Sequence, residues 1–257
     1  MNHPLNGFQS GTVVSRYDWN SNLFSLRVKT APLNYLAGQF TKLALRDDNQ
    51  EWLRRAYSIV NHPDEHQRSH EIEFLLVSDP TGQLSPRLHQ LGIGDELMLG
   101  NAGAGFMTLD EVNPVANELW LLSTGTGIGP YLAFLDDENL WKRYDKIILV
   151  HAVRFGADLC YSTHIEQLVQ TRSERLIYVP IVSREPYRGA LSGRIPMLLK
   201  SGELESYAGV SLHPHKSFVF VCGNPQMVKE TNQALLSKGL TKHLRRQAGQ
   251  FTSENYW

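Results

Sequence analysis

The rhythm of the chain changes once, near Asn117, and this change restricts the possible folds more than any single motif. From Gly11 to about Gly100, short β-prone runs occur at 12–17, 23–28, 40–45, 56–60, 72–77 and 96–99. Turn residues such as Asp47-Asp48-Asn49, Pro63-Asp64 and Gly92-Ile93-Gly94-Asp95 punctuate them, and one short helical stretch, 84–91, interrupts them. Closely spaced strands of this kind predict a small antiparallel β-barrel. His62, His66 and His70 fall in this half. The polar run around them reads as a loop between strands, where a four-residue spacing has no helical meaning, and no metal site is expected there.

Beyond Asn117 the pattern becomes strand, helix, strand. An apolar run at 119–123 meets Thr124-Gly125-Thr126-Gly127-Ile128-Gly129-Pro130, and a run at 146–152 precedes a helical stretch near 158–171. A further strand is predicted at 176–182, and a strand at 217–222 leads into a helix at 225–238. Strands alternating with helices predict a parallel α/β sheet. The expected architecture is therefore an N-terminal antiparallel β-barrel domain over 1–110 and a C-terminal parallel α/β nucleotide-binding domain over 111–257, with the boundary inside 103–117.

Hydrophobic residues make up 42% of the 257 and charged residues 20%, enough apolar surface for a real core. A formal net charge of −1 supplies no global basic field of the kind nucleic acid attracts. The start, Met1-Asn2-His3-Pro4, lacks a basic segment followed by an apolar one, and runs such as 147–150 and 218–222 are too short to span a bilayer. The expectation is a cytoplasmic monomer with no membrane or nucleic-acid partner. The two cysteines, Cys160 and Cys222, cannot build a four-cysteine iron–sulfur site or a structural zinc site.

A strand that ends in glycines opening a helix lets backbone N–H groups approach an anion closely, with the helix dipole adding to the attraction. Gly125, Gly127 and Gly129 suit that role, although a tight strand-to-helix turn without a ligand has the same sequence. The junction Val221-Cys222-Gly223-Asn224-Pro225 is of the same type, with Asn224 fit to cap a helix and Pro225 to begin it. Cys222 then falls at the carboxyl end of a parallel strand, where open α/β sheets place ligands, or is simply a small buried thiol. Ser183-Arg184 follows the 176–182 strand and Arg194 follows Ser192-Gly193. Two such arginines offer the planar, permanently charged donors that a ribose 2′-phosphate requires, whereas a lone arginine is ordinarily a solvated surface charge. In the first half, Arg54-Arg55-Ala56-Tyr57-Ser58 lies on a predicted strand whose alternation puts Arg55 and Tyr57 on one face and Ala56 and Ser58 on the other. That pairing suits a phosphate and a flat heterocycle; it also suits a plain edge strand.

In this order, Arg55-Ala56-Tyr57-Ser58, the glycine turn and Cys222-Gly223-Asn224-Pro225-Gln226-Met227 resemble the ferredoxin–NADP reductase family over nearly the whole chain. The resemblance is closest to its bacterial ferredoxin/flavodoxin members, through Gly193-Arg194-Ile195-Pro196, Thr241-Lys242-His243-Leu244-Arg245-Arg246 and the aromatic end Tyr256-Trp257. It implies that Arg55 neutralises the FAD pyrophosphate, that Tyr57 stacks on the isoalloxazine, and that Ser58 lies near the flavin N5. Gln83, Leu84 and Ser85 add contacts to the pyrophosphate; some relatives carry lysine at the place of Gln83, so a charged contact is missing here. Thr126 faces the flavin, and Tyr256 and Trp257 pack on FAD. For NADP(H), Val153 and Arg154 fall on the pyrophosphate side, Ser183, Arg184 and Arg194 at the 2′-phosphate, and Cys222 beside the nicotinamide, with Glu254 nearby.

The activity so implied is hydride transfer between NADP(H) and flavin N5, then single-electron exchange with ferredoxin or flavodoxin. Tyr57, Ser58, Cys222 and Glu254 are its candidate catalytic residues, and Lys242, Arg245 and Arg246 its candidates for docking an acidic carrier. Two rival readings stand beside it. One is a stand-alone NAD(P)H–flavin reductase serving another acceptor; the other is a non-catalytic flavin or nucleotide sensor.

Overall fold

The computed structural model describes residues 5–112, 115–244 and 246–256. Arg245 and Trp257, named above for carrier docking and FAD packing, lie outside the described residues. The chain forms two compact units. One comprises the chain up to Leu109 together with Gly129–Asp137, and the other comprises Asp110–Ile128 with the chain from Glu138 onward.

The first unit is built from β1 (Phe8–Asp18), β2 (Leu23–Thr30), β3 (Phe40–Arg46), β4 (Trp52–Ser58), α1 (Pro63–Ser69), β5 (Glu71–Val77), α2 (Ser85–His89), β6 (Glu96–Gly100) and α3 (Gly129–Leu135). Its six strands form one sheet in the order β4-β3-β6-β1-β2-β5, every pairing antiparallel. The sheet curls shut just past β4, where Ile59 bridges Phe74 of β5 and the Val60 N–H donates to the Glu73 carbonyl at 2.9 Å. Val13, Phe24, Leu26, Leu43, Phe74 and Leu99 fill the interior. This is the antiparallel barrel that the strand spacing predicts. β4 differs in extent, running from Trp52 to Ser58 rather than over 56–60.

The histidine loop is the clearest correction. Pro63–Ser69 is a helix, with His62 as its N-cap and His70 ending it in a left-handed conformation. The physical signals were local. Pro63 presets the backbone of the first turn, Asp64 and Glu65 oppose the N-terminal dipole, and Arg68 suits the last turn. The four-residue histidine spacing is thus helical after all. His66 is buried, its Nε2 accepting from the Leu33 N–H at 2.9 Å and its Nδ1 lying 3.2 Å from the Glu71 carbonyl. Both ring nitrogens are engaged in holding loops to the barrel.

The second unit contains β7 (Glu118–Thr124), α4 (Glu138–Arg143), β8 (Lys146–Val153), α5 (Ser162–Thr171), β9 (Leu176–Val182), β10 (Leu191–Ser192), α6 (Ile195–Ser201), α7 (Glu203–Ala208), β11 (Ser217–Gly223), α8 (Pro225–Ser237) and β12 (Phe251–Asn255). All pairings in its sheet are parallel, in the order β10-β9-β8-β7-β11-β12. β8 and β11 are buried almost end to end, as expected of strands covered on both faces. From β7 the chain steps outward through β8, β9 and β10, then returns to lay β11 on the other side of β7. The direction of winding therefore reverses between β7 and β11. Open α/β sheets bind ligands outside the carboxyl ends of their strands at such a reversal.

Candidate active site

Both glycine junctions singled out in the sequence lie at this reversal. Past β7 the chain makes a 3-10 turn over Gly125–Ile128, with Gly125 at φ 54°. Past β11, Asn224 caps α8 by accepting from the N–H groups of Gln226 and Met227 at 3.0 and 3.2 Å. The two junctions approach each other at backbone distance. A Cβ on Gly127 would lie 2.7 Å from the Cys222 carbonyl oxygen, and one on Gly223 would lie 2.1 Å from Thr124 Oγ1. Gly223 also has φ 137°, a conformation that side chains rarely adopt. Thr124 Oγ1 accepts from the Asn224 N–H at 3.0 Å, which ties the two strand ends together. Glycine is needed here for close approach as well as for turning.

Cys222, Glu254 and Tyr256 meet at the same end of the sheet. Cys222 and Glu254 are register partners in β11 and β12, and the Tyr256 N–H donates to the Gly223 carbonyl at 2.9 Å. Cys222 is fully buried. Burial pushes its thiol well above the ordinary value; a hydrogen bond from the Tyr256 side chain opposes that rise and the Glu254 charge adds to it. Burial thus favours the neutral, protonated thiol over the thiolate. Thr126 is buried within the glycine turn.

At the far side of the sheet, Ser192 pairs with Val182 in parallel register. Arg194 and Arg184 each lie two residues beyond that pair, so both emerge at one end of adjacent strands. Both are exposed, and among the described residues neither makes an ion pair. The Arg184 guanidinium lies 5.9 Å from the centre of the Phe155 ring. Ser183 donates through its N–H and its hydroxyl to the Val153 carbonyl, each at 3.1 Å, and the Arg184 N–H donates to the Arg154 carbonyl at 3.0 Å. Val153 is the last residue of β8 with its side chain buried, so only its backbone faces this edge; Arg154 is exposed. The Gly156 N–H donates to the Glu185 carboxylate at 2.7 Å, and the Tyr187 ring packs where a Gly156 Cβ would be. These residues fit a nicotinamide dinucleotide bearing a 2′-phosphate: two fixed cations without ion pairs, and a glycine cradle that no side chain can fill.

In the first unit, β4 is the strand at the end of the sheet order, with Arg55 and Ala56 exposed and Tyr57 and Ser58 half-buried. Tyr57 packs against the barrel core, and burial pushes its phenol up to about 12, with the Arg55 charge opposing. Arg55 makes no ion pair among the described residues, so its charge is available to a phosphate. Leu84 is buried in the barrel core and is the N-cap of α2, without a side-chain cap for the first-turn N–H groups. The Ser85 hydroxyl accepts from the Asp79 N–H at 3.1 Å. Gln83 is exposed and lines a polar cleft of ≈ 550 Å³ whose rim carries Asp48 and Arg87, paired at 2.8 Å. This donor set suits an FAD: an unpaired arginine for the pyrophosphate, beside a half-buried ring able to stack.

Sequence reasoning missed three contributors. Glu185 and Tyr187 shape the loop beside the arginine pair, and His151 contacts the glycine turn through Gly125. Only His151 had a readable signal, as the one polar residue in the run Ile147-Ile148-Leu149-Val150-His151-Ala152-Val153.

Fold and site define a two-domain oxidoreductase with an FAD-binding barrel and a nicotinamide-dinucleotide-binding α/β domain. Residues 10–104 match the family Oxidoreductase FAD-binding domain, and residues 121–233 match Oxidoreductase NAD-binding domain. The chain is 46% identical over 249 residues to a flavodoxin/ferredoxin–NADP reductase of Escherichia coli, covering 96% of this chain and 98% of that protein. It is 41% identical over 254 residues to the enzyme of that name in Buchnera aphidicola, covering 98% and 100%. A crystal structure of a ferredoxin NADP+ reductase from Neisseria gonorrhoeae with bound FAD and NADP superimposes with a TM-score of 0.90 at 28% identity, over 98% of this chain and 99% of that one. The chain belongs to the flavodoxin/ferredoxin–NADP reductase family.

Proposed function

We propose that this enzyme exchanges electrons between NADP(H) and a small one-electron carrier, a ferredoxin or a flavodoxin. The observation that carries the NADP(H) half is the pairing of the glycine cradle at the sheet reversal with Arg184 and Arg194 at one strand end. Bound FAD supplies the chemistry: it takes up a hydride at N5 and gives electrons up one at a time. With FAD bound, Arg55 would balance the pyrophosphate charge, Tyr57 would offer a ring to the isoalloxazine, and Ser58 would supply a hydroxyl on the flavin side. Backbone at Gln83, Leu84 and Ser85 adds contacts to the same pyrophosphate. Arg184 and Arg194, with Ser183 and the Val153–Arg154 edge, hold the dinucleotide at its phosphates. Cys222 would form a neutral wall beside the nicotinamide, with Glu254 and Tyr256, its neighbours at the strand end, helping to fix its position.

Carrier docking is assigned to the exposed basic residues Lys242 and Arg246. The reading is tested by stopped-flow mixing of the purified flavoprotein with NADPH and with NADH, followed by reoxidation with ferredoxin or flavodoxin. NADPH should reduce the flavin far faster than NADH, and equal rates would remove the 2′-phosphate assignment. Charge reversal at Lys242 and Arg246 should slow transfer to the carrier while leaving ferricyanide reduction unchanged; equal effects on both acceptors would remove the docking site. A protein that NADPH leaves oxidised would be a sensor, not a reductase.

A further inference from the structure

His151 is an unusual occupant of its strand. It is fully buried in β8, opposite Ser123 of β7, in an otherwise apolar run. Its Nε2 lies 3.1 Å from the carbonyl oxygen of Gly125, and its Nδ1 has no partner among the described residues. A carbonyl oxygen only accepts, so Nε2 carries the proton and the ring is the neutral Nε2–H tautomer. Burial favours the same state, pulling the imidazole down to about 4. A core position that needed only volume would take leucine and avoid an unsatisfied Nδ1.

The ring has a clear object. Gly125 adopts a left-handed conformation with open space where a Cβ would point, so glycine is kept there for its backbone angle. In a planar trans peptide the C=O and the following N–H point opposite ways. Holding the Gly125 carbonyl toward β8 therefore turns the N–H of Thr126 away from the sheet core. We propose that His151 is a positioning residue for hydride transfer, which sets the Gly125–Thr126 peptide plane by donating to the Gly125 carbonyl. It does not touch substrate; it acts through the glycine turn. The inference rests on the NADP(H) reading above.

Two measurements test it. In the parent flavoprotein labelled with ¹⁵N-histidine, one imidazole should appear as the Nε2–H tautomer and stay neutral between about pH 5.5 and 8. Its Nε2 signal should move when NADP+ is added. A ring that titrates in that range, is protonated on Nδ1, or ignores bound NADP+ overturns the proposal. His151→Leu should keep its flavin yet lose about tenfold in kcat with NADPH and ferricyanide, with KM changed less than about threefold. His151→Gln, which restores an N–H donor, should recover most of the loss. A leucine variant within about twofold of the parent, or a glutamine variant no better than leucine, overturns it; if the leucine variant does not fold, the glutamine variant and the parent spectra decide. Failure of the parent to bind NADP+ at all would instead overturn the underlying reading, and the inference with it.

Discussion

Gly223→Ala is the sharpest test of the claim that the two strand ends are built around glycine. An alanine Cβ there would lie 2.1 Å from Thr124 Oγ1 and 3.0 Å from both the backbone N and O of Thr124. Rotating the Thr124 side chain relieves only the first contact, and it sacrifices the bond from the Asn224 N–H, about 1 kcal/mol. The backbone contacts persist and require the strands to separate, an overpacking cost of about 1–3 kcal/mol. The φ of 137° adds roughly 1–3 kcal/mol of conformational strain. Together these give about 3–7 kcal/mol. For a unit of this size that lowers the midpoint by on the order of 10–20 °C. Gly239→Ala is the control: its φ is 84°, but nothing lies within 4 Å of the added Cβ, so only the conformational cost of about 1 kcal/mol applies. Differential scanning calorimetry of the two variants and the parent separates crowding from backbone strain. A Gly223→Ala protein that melts no lower than Gly239→Ala would refute the close approach of the two junctions.

Three further outcomes are expected. Removing Arg184 or Arg194 should cost about 1.5–3 kcal/mol of charge-assisted bonding, or roughly tenfold to a hundredfold in kcat/KM for NADPH, with NADH little affected; a parallel loss for NADH in steady-state kinetics would contradict the 2′-phosphate role. Burial holds the folded His151 imidazole at about 4 against an ordinary 6.5, so between pH 6.5 and 4 the unfolded chain takes up its proton and the folded chain does not. Stability should therefore decline as pH falls from 6.5 toward 4, by up to about 3 kcal/mol from this group; urea unfolding of the parent and His151→Gln at pH 7.5 and 5 should show a shallower pH dependence in the variant. Both thiols should resist a disulfide reagent in the native protein, since Cys160 and Cys222 are buried and burial pushes Cys160 up to about 12 and Cys222 further. Reaction of either thiol in the folded state at neutral pH would contradict that burial.

The sequence was most legible where one physical preference dominates. Strands such as Lys146–Val153 and Ser217–Gly223 are nearly continuous apolar runs, so their parallel, doubly covered setting could be read directly. The Asn224–Pro225 cap was equally plain, and its side chain bonds as that pattern requires. Elements stabilised mainly by neighbours were not legible. β12, Phe-Thr-Ser-Glu-Asn, has one large apolar residue and becomes a strand only because β11 offers it an edge. The two-residue β10 depends in the same way on β9. The helix Pro63–Ser69 was missed because its histidines and charges conceal a single inward residue, His66. At the site, residue type showed which groups can meet phosphate, but the register that brings Arg184 and Arg194 to one strand end comes only from pairing.

The helix Gly129–Leu135 has a consequence for how the molecule is made. It belongs with the barrel unit, although it is encoded after the first strand of the α/β unit. A Cβ on Gly38 would meet the Phe134 ring at 2.7 Å, Gly129 lies against Val60, and His62 Nε2 is 4.0 Å from the Asp137 carboxylate. A nascent chain released as far as Leu109 thus has all six barrel strands but not the helix that covers Gly38 and Val60. At ordinary elongation rates the ribosome needs on the order of seconds to supply it. During that interval a barrel already assembled from its six strands would lack the helix that covers Gly38 and Val60. A gene fragment stopping at the end of β6 should therefore yield an aggregation-prone product, and a barrel meant to stand alone would have to carry residues 129–137 grafted onto its end.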